Sequence, residues 1–490
     1  MQKWTHTFKL LVVLFFLTAC TRVELDREQS LIVAIPNAPV LLDPRLNSDA
    51  EGQKIGALLY DSLTAVNDKL EIVPLLAERW EEAEPLTWRF HLRHGVLFPN
   101  GQELTSKDVV CTWQFITDPK NASPVRSEFD KIAEILPEDD HTFTLRLKEP
   151  YAPLFILLKK GVVGCDGVSG TGPYRLVSSK PDRKIILEAN PGYFLGAPRL
   201  KFLAFDVVKD DTTRVLKLLS HEIDLIQNAV PPLLISKVLK KKGLKILEAP
   251  GTTFAYVGLN LRDPVLKNIK VRQALALALD RKAIINLLWK GEAEEADSLL
   301  SPIHWAHAKH VREYHYNLEK AKKLLSETDF KNIRLTLKTS TIKDRIEIAR
   351  MLAHQWAQIG VSVRVEPYEW GTLFKDIRNG NFQTFTSTWV GVVEPDLFYN
   401  ILNSKQFPPE GSNRGFYVNP EIDVLTEEGR VTMEQNRRKP IYEKVQDIVA
   451  EDLPFIPLWY EKNVVIYYVY LKGVSLSPQP NYRNFMKIYR

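Results

Sequence analysis

The 490-residue chain carries 65 Lys and Arg against 60 Asp and Glu, a formal charge of +5, and 45% of its residues are apolar. That much apolar surface can bury two or three cores, which excludes a disordered chain. The near balance of charge excludes a general attraction to polyanions, and the basic run Lys240, Lys241 and Lys242 reads as the solvated end of a helix, since no nucleic-acid motif accompanies it.

At the start, Lys3 and Lys9 precede or flank an apolar stretch over 10–17 and the small pair Thr18 and Ala19. This is the layout of an export signal, and it is too short to span a bilayer. Leu17, Thr18, Ala19 and Cys20 resemble a bacterial lipobox, in which the cysteine thiol receives a diacylglycerol and becomes the first mature residue. Two acyl chains anchor stably, at about 0.8 kcal/mol per buried methylene, so the mature chain is expected to be tethered to a membrane without crossing it. With Cys20 lipidated, Cys111 and Cys165 remain. Outside the cytoplasm an even remainder suggests a disulfide, and two separately buried thiols are the alternative.

Further along, 30–35 is a short apolar run ended by Pro36 and predicts a strand. A helical spacing covers 55–63, and the alternating segments 87–92 and 142–147 predict half-buried strands. Residues 107–116 have helical spacing, with Thr105 or Ser106 placed to cap them. Strands are predicted at 184–187 and 203–208, a helix at 214–219, a strong apolar helix over 272–289, and a further helix over 346–358 followed by a strand at 361–365. This alternation predicts α/β architecture with more than one sheet. The glycine cluster at positions 161, 164, 167, 170 and 172 marks a boundary. It lacks a Gly-Lys-Ser/Thr sequence, and Pro173 breaks dinucleotide spacing, so nucleotide binding is excluded.

A series of short stretches then carries a resemblance. They are PLLAERW over 74–80, TWRFHLRHGVLFPNGQELTSKDVV over 87–110, GTGPYRL over 170–176, NPGYF over 190–194 and HEIDL over 221–225. VRQALALALDRKAI over 271–284, YNLEKAKKLL over 316–325 and EDLPFIPLWY over 451–460 complete the set. In this order they resemble the extracytoplasmic solute-binding proteins of ABC importers, the family 5 group that includes oligopeptide and dipeptide binders. The resemblance implies a periplasmic-binding-protein-like type II fold, bilobal, with an additional inserted domain, closing on its ligand at a hinge. The implied division is a signal peptide at 1–19, lobe I at 20–50, the inserted domain at 51–167, lobe I again at 168–262, lobe II at 263–464 and a return to lobe I at 465–490. Implied partners are ABC permease and ATPase subunits, a peptide or small-molecule ligand and the membrane through the lipid, with a monomeric chain in the cell envelope or periplasm. No cofactor, no nucleic acid and no catalysis are implied.

The resemblance also points to a pocket. Trp370, after Glu369, and Trp389 match the family's pocket aromatics, with ordinary core tryptophan as the alternative. Asn47, Ser48, Asp49 and Ala50 match the edge that pairs with peptide backbone. The family's amine-binding Asp falls on Val392 or Val393 in TWVGVVEPDLF, which leaves Glu394 and Asp396 as the nearby acids. The arginines some peptide binders carry are replaced by Thr, Phe, Thr, Ser and Thr over 384–388, while Arg414 in GSNRGFY can pair a ligand carboxylate through its planar fork. Peptide specificity is weakened by these departures, so a metal complex, a sugar, an opine-like solute or a sensing role without transport stand as alternatives. His304, His307 and His310, spaced by three with His315 beyond, raise a metal reading that Pro302 and Trp305 turn toward a surface loop. No Gly-x-Ser-x-Gly elbow, His-Glu-x-x-His or Cys-His signature is present, and Asp139 with Asp140 reads as a polar turn rather than a catalytic pair.

Overall fold

The computed structural model describes residues 25–409 and 411–490, so Cys20 and the export segment lie outside the described residues. Ser30–Ile35 forms a strand buried along its whole length, paired parallel to Phe202–Val207 on one side and to Leu225–Gln227 on the other. A continuous apolar run is what a strand covered on both faces requires. Antiparallel strands Lys184–Ala189 and Tyr174–Lys180 extend this half of the sheet. Leu31, Val33 and Ile35 point into one core with Ile55, Leu58 and Phe205, and Ile32 and Ala34 into a second with Leu218 and Ile226. Each Leu or Ile so buried contributes about 1.5–3 kcal/mol.

Two long antiparallel strands, Leu244–Leu259 and Phe455–Tyr468, carry the sheet onward. Phe455–Tyr468 pairs with Leu225–Gln227 at its outer end and Ala293–Glu295 toward its inner end, and the inner end of Leu244–Leu259 pairs with Thr384–Trp389. Arg334–Ser340 and Ser362–Tyr368 complete that second half, which again has a core on each face. Pairing slips midway: Ala249 faces Asn463 and Thr253 faces Glu461, so three residues lie opposite Lys462 alone. Gly251 sits in this bulge because a Cβ there would stand 2.0 Å from the Glu461 backbone oxygen. Asn463 braces the slip, donating to the Ser477 and Pro478 carbonyls at 2.9 and 2.6 Å.

A separate four-stranded antiparallel sheet runs in the order Ala77–Glu84, Thr87–Leu92, Thr142–Leu147, Ile132–Pro137. It packs on the helix Ser106–Thr117, which starts with a Thr105–Asp108 capping box, around Phe90, Phe143 and Leu145. Cys111 of that helix is joined to Cys165 in a disulfide, with Cα atoms 5.4 Å apart, tying the helix to the glycine-rich segment. The chain end returns to the first half, where Tyr482, Phe485 and Ile488 are buried and Arg490 pairs with the buried Asp224 at 2.9 Å.

Strands 30–35, 87–92 and 142–147 form where alternation and apolar runs put them. The stretch predicted as one helix over 272–289 is instead broken. Ile269–Leu277 ends, Asp280 caps a new turn by accepting from Ala283 N at 2.9 Å, and Arg281–Ile284 widens into Ile285–Trp289. The helix predicted at 55–63 is Ala50–Leu59, and its Ile55, Leu58 and Leu59 pack with the strand Ser30–Ile35. Lys240, Lys241 and Lys242 follow the helix Pro232–Val238 and are exposed. Among the described residues no helix is long and apolar enough to cross a membrane.

Candidate functional site

Trp389 ends the strand Thr384–Trp389 opposite Phe254, which sets its indole beside Tyr256, with near-parallel rings 6.5 Å apart. The Arg414 guanidinium lies 4.8 Å from the Trp389 ring centre and 5.1 Å from that of Phe374. Phe374 in turn stacks on Trp370, one helical turn earlier, at 5.7 Å. Trp370 is 53% exposed. The fold therefore joins Trp370, Trp389 and Arg414 into one ladder through Phe374, with Tyr256 at its buried end.

The ladder is held from below. Helix Trp370–Asn379 begins where the Glu369 carboxylate accepts from Gly371 N at 2.7 Å, so Glu369 serves as a cap. The Arg414 loop is fixed by the fully buried Asn413, whose amide donates to the Leu402, Asn403 and Tyr417 carbonyls and accepts from Tyr417 N. The Gly415 carbonyl accepts from Leu261 N at 2.9 Å, tying the loop to the end of the first long strand. A small cavity of ≈ 30 Å³ lies between Tyr256, Trp389, Arg414 and Tyr417. Burial raises the Tyr256 hydroxyl above its ordinary range, with Arg414 opposing the shift, so the phenol stays neutral beside the cation. Among the described residues no carboxylate lies within ion-pair distance of Arg414. Cation–ring contacts of this kind hold a guanidinium without neutralising it.

The two predicted acids stand elsewhere and are occupied. Arg438 donates to Glu394 at 2.5 Å, and Arg430 Nε lies 3.0 Å from Asp396. Arg430 covers the Tyr399 ring at 3.9 Å, and its carbonyl accepts from Ala152 N at 2.7 Å, so this network meets the four-stranded domain rather than the ladder. Burial pushes the Asp396 carboxyl up to about 7, with Arg430 opposing and Glu394 adding to the shift. Each acid already faces an arginine, Glu394 in a hydrogen-bonded pair and Asp396 within ion-pair distance of Arg430, whereas the expectation took them as carboxylates open to a ligand cation. Val392, one of the two positions on which the resemblance puts the amine-binding Asp, is 5% exposed and packed among Phe254, Phe385 and Phe398.

Asn47, Ser48, Asp49 and Ala50 do not form a strand edge. They are the entry to the helix Ala50–Leu59: Asp49 accepts from Gly52 N at 2.7 Å and Val40 N at 3.1 Å, and Asn47 is buried, its amide turned toward the Leu42 carbonyl. The helix claims these residues because Asp49, at the N-cap, accepts from Gly52 N three residues on and so satisfies one of its open N–H groups. His304 is buried, accepts from Ala306 N at 3.0 Å and is held down to about 4 by burial, while His307 faces the Leu300 carbonyl and His310 is exposed. Those three do not gather around a shared ion. Asp139 accepts from His141 N in a turn, as its sequence suggests.

A wider cavity of ≈ 380 Å³ opens at the seam between Trp88, Leu147 and Pro150 of the four-stranded domain and Val431, Met433 and Arg437. It contains none of the predicted site residues. Phe374 and Tyr256 went unnoticed in the sequence. Phe374 was readable as the i+4 neighbour of Trp370, whereas Tyr256 reaches Trp389 only through strand pairing.

The family model of bacterial extracellular solute-binding proteins, family 5 Middle, matches residues 71–408. The oligopeptide-binding protein AppA of Bacillus subtilis is 27% identical over 529 residues, covering 98% of this chain and 97% of AppA. Its solved structure with a nonapeptide superposes with a TM-score of 0.81 over 94% of this chain and 98% of that one. Heme-binding protein A of Haemophilus influenzae is 28% identical over 515 residues, covering 94% of this chain and 92% of that protein. This chain belongs to the bacterial extracellular solute-binding proteins of family 5.

Proposed function

We propose that the chain is the solute-binding component of an ABC importer, which captures a peptide or peptide-sized solute between two lobes and delivers it to a membrane permease driven by its ATPase. The lipid on Cys20 holds it beside that permease and raises the local concentration for delivery. The lobes are the two halves of the long sheet, the four-stranded domain is the insertion, and closure bends the long strands at the Gly251 bulge. The single observation that carries the ligand reading is Arg414, a cation set between Trp389 and Phe374 without a carboxylate partner among the described residues. A ligand carboxylate beside it gains a charge-assisted hydrogen bond, and flat or apolar groups gain the Trp370 and Trp389 faces.

The second reading is a non-peptide anionic solute. It is favoured by valine at both 392 and 393, the two positions on which the resemblance puts the amine-binding Asp, and by the likeness to a heme-binding relative. Both readings keep Arg414 as the ligand's anchor. Native mass spectrometry of the mature chain purified from an export host, repeated with a mixed peptide pool, separates them. A ladder of peptide masses lost in R414A supports peptide capture. One non-peptide anionic mass lost in R414A moves the function to the second reading, and masses unchanged in R414A reject the proposed site.

A further inference from the structure

Far from the ladder, on the four-stranded domain, three side chains with metal-ligand chemistry meet. We infer that His94, Glu103 and His141 form a binding site for one divalent transition-metal ion of the zinc class. Their ligand atoms all lie within 4.8 Å of one another. His141 Nε2 is 3.0 Å from the Glu103 carboxylate, and the His94 and His141 rings are 3.9 Å apart. Ligands bonded at about 2.0–2.2 Å to one tetrahedral ion stand about 3.3–3.6 Å apart, so His141 and Glu103 are already near range and side-chain rotation by up to about 1.5 Å brings all three together.

The backbone beneath each ligand is already fixed. His141 N donates to Asp139 at 2.7 Å and its carbonyl accepts from Leu92 N at 2.7 Å. Glu103 sits on the hairpin turned by Asn100 and Gly101, whose φ of 84° suits glycine, and Phe98 N donates to the Gln102 carbonyl at 2.8 Å. The Glu103 carboxylate accepts from Gly95 N at 2.6 Å, which aims it toward His141. Two imidazoles and one carboxylate suit zinc, nickel or copper, whereas magnesium and calcium favour all-oxygen sets. His94 and Glu103 are exposed, which gives an ion its entry path and leaves a coordination position for water. The ion would tie the turn after Thr87–Leu92, the 96–104 hairpin and the start of Thr142–Leu147 together.

The test is calorimetric titration of the untagged, chelator-treated full chain with zinc sulfate alone, with magnesium as control. The expected result is one zinc per chain and no magnesium heat, binding at least about tenfold weaker in E103Q and lost in the H94A/H141A double variant, with H304Q unchanged. Zinc then raises the melting temperature of the wild type and not of the double variant. No saturation by about 100 μM zinc, or equal binding by the double variant, overturns the site and leaves a surface hydrogen bond between His141 and Glu103.

Discussion

Arg414, on a loop, and Arg438, on the helix Gln435–Asp452, both stand beside aromatic rings, yet they are wired differently. Arg438 ends on the Glu394 carboxylate at 2.5 Å and is itself buried, with Trp305 and Tyr442 around it. Arg414 ends on the rings of Trp389 and Phe374. A buried pair with its counter-charge present is a structural strut, whose removal leaves an uncompensated charge. An arginine set against ring faces and a neutral phenol, with no carboxylate within ion-pair distance among the described residues, keeps its charge uncompensated. On the proposed function, the difference separates an arginine that holds its surroundings together from one left for a solute.

The largest effect expected from this contrast is on stability. R438A strands Glu394 and should cost about 3–5 kcal/mol, read as a fall in the denaturant midpoint, whereas R414A should cost under about 1 kcal/mol. Equal losses in the two variants would erase the distinction. Next in size is binding. R414A should weaken solute affinity by about 1.5–3 kcal/mol, roughly tenfold or more in titration calorimetry, with R414K recovering only part because an ammonium lacks the planar fork.

The strut region carries a third, pH-dependent signature with two opposing signs. His304 titrates near 4 in the folded chain against an ordinary 6.5, so its contribution to stability is present above about 6.5 and is lost as pH falls toward 4. Asp396 titrates near 7 against an ordinary 3.8, so its contribution is present below about 3.8 and is lost as pH rises through about 7. Thermal unfolding between pH 4 and pH 7 should therefore lose less stability on acidification in H304Q than in the wild type, and less on alkalinisation in D396N. Parallel tilts in the two variants would contradict the assignment. The smallest effect belongs to W370A, at 53% exposure. It should shift stability by under about 0.5 kcal/mol while weakening binding of an aromatic or apolar solute by about 0.5–1.5 kcal/mol.

Much of the frame was legible in the sequence, for stated reasons. The strand Ser30–Ile35 is a continuous apolar run, and its burial on both faces is what such a run requires. Thr105 or Ser106 ahead of helical spacing was readable as a cap, and the fold uses Thr105 with Asp108 in a capping box. The helix over 272–289 failed because apolar periodicity does not register an interruption, although Asp280 before Arg281 was a readable cap. The acids misled because Glu394 and Asp396 are close to Trp389 in sequence, while their arginines stand more than thirty residues downstream, a distance of 44 for Glu394 and Arg438. Only the fold brings those pairs together. The same holds for His94 and His141, whose meeting depends on the register that sets Leu92 N against the His141 carbonyl.

The central claim is that Arg414 is the cation left for the solute. The most direct measurement is titration calorimetry of the co-purified solute, after its removal, against the wild type and R414A. A loss of tenfold or more in R414A, with its melting temperature within a few degrees of the wild type, is the predicted result. Unchanged affinity in R414A would contradict the account and assign the arginine to the loop it stands on.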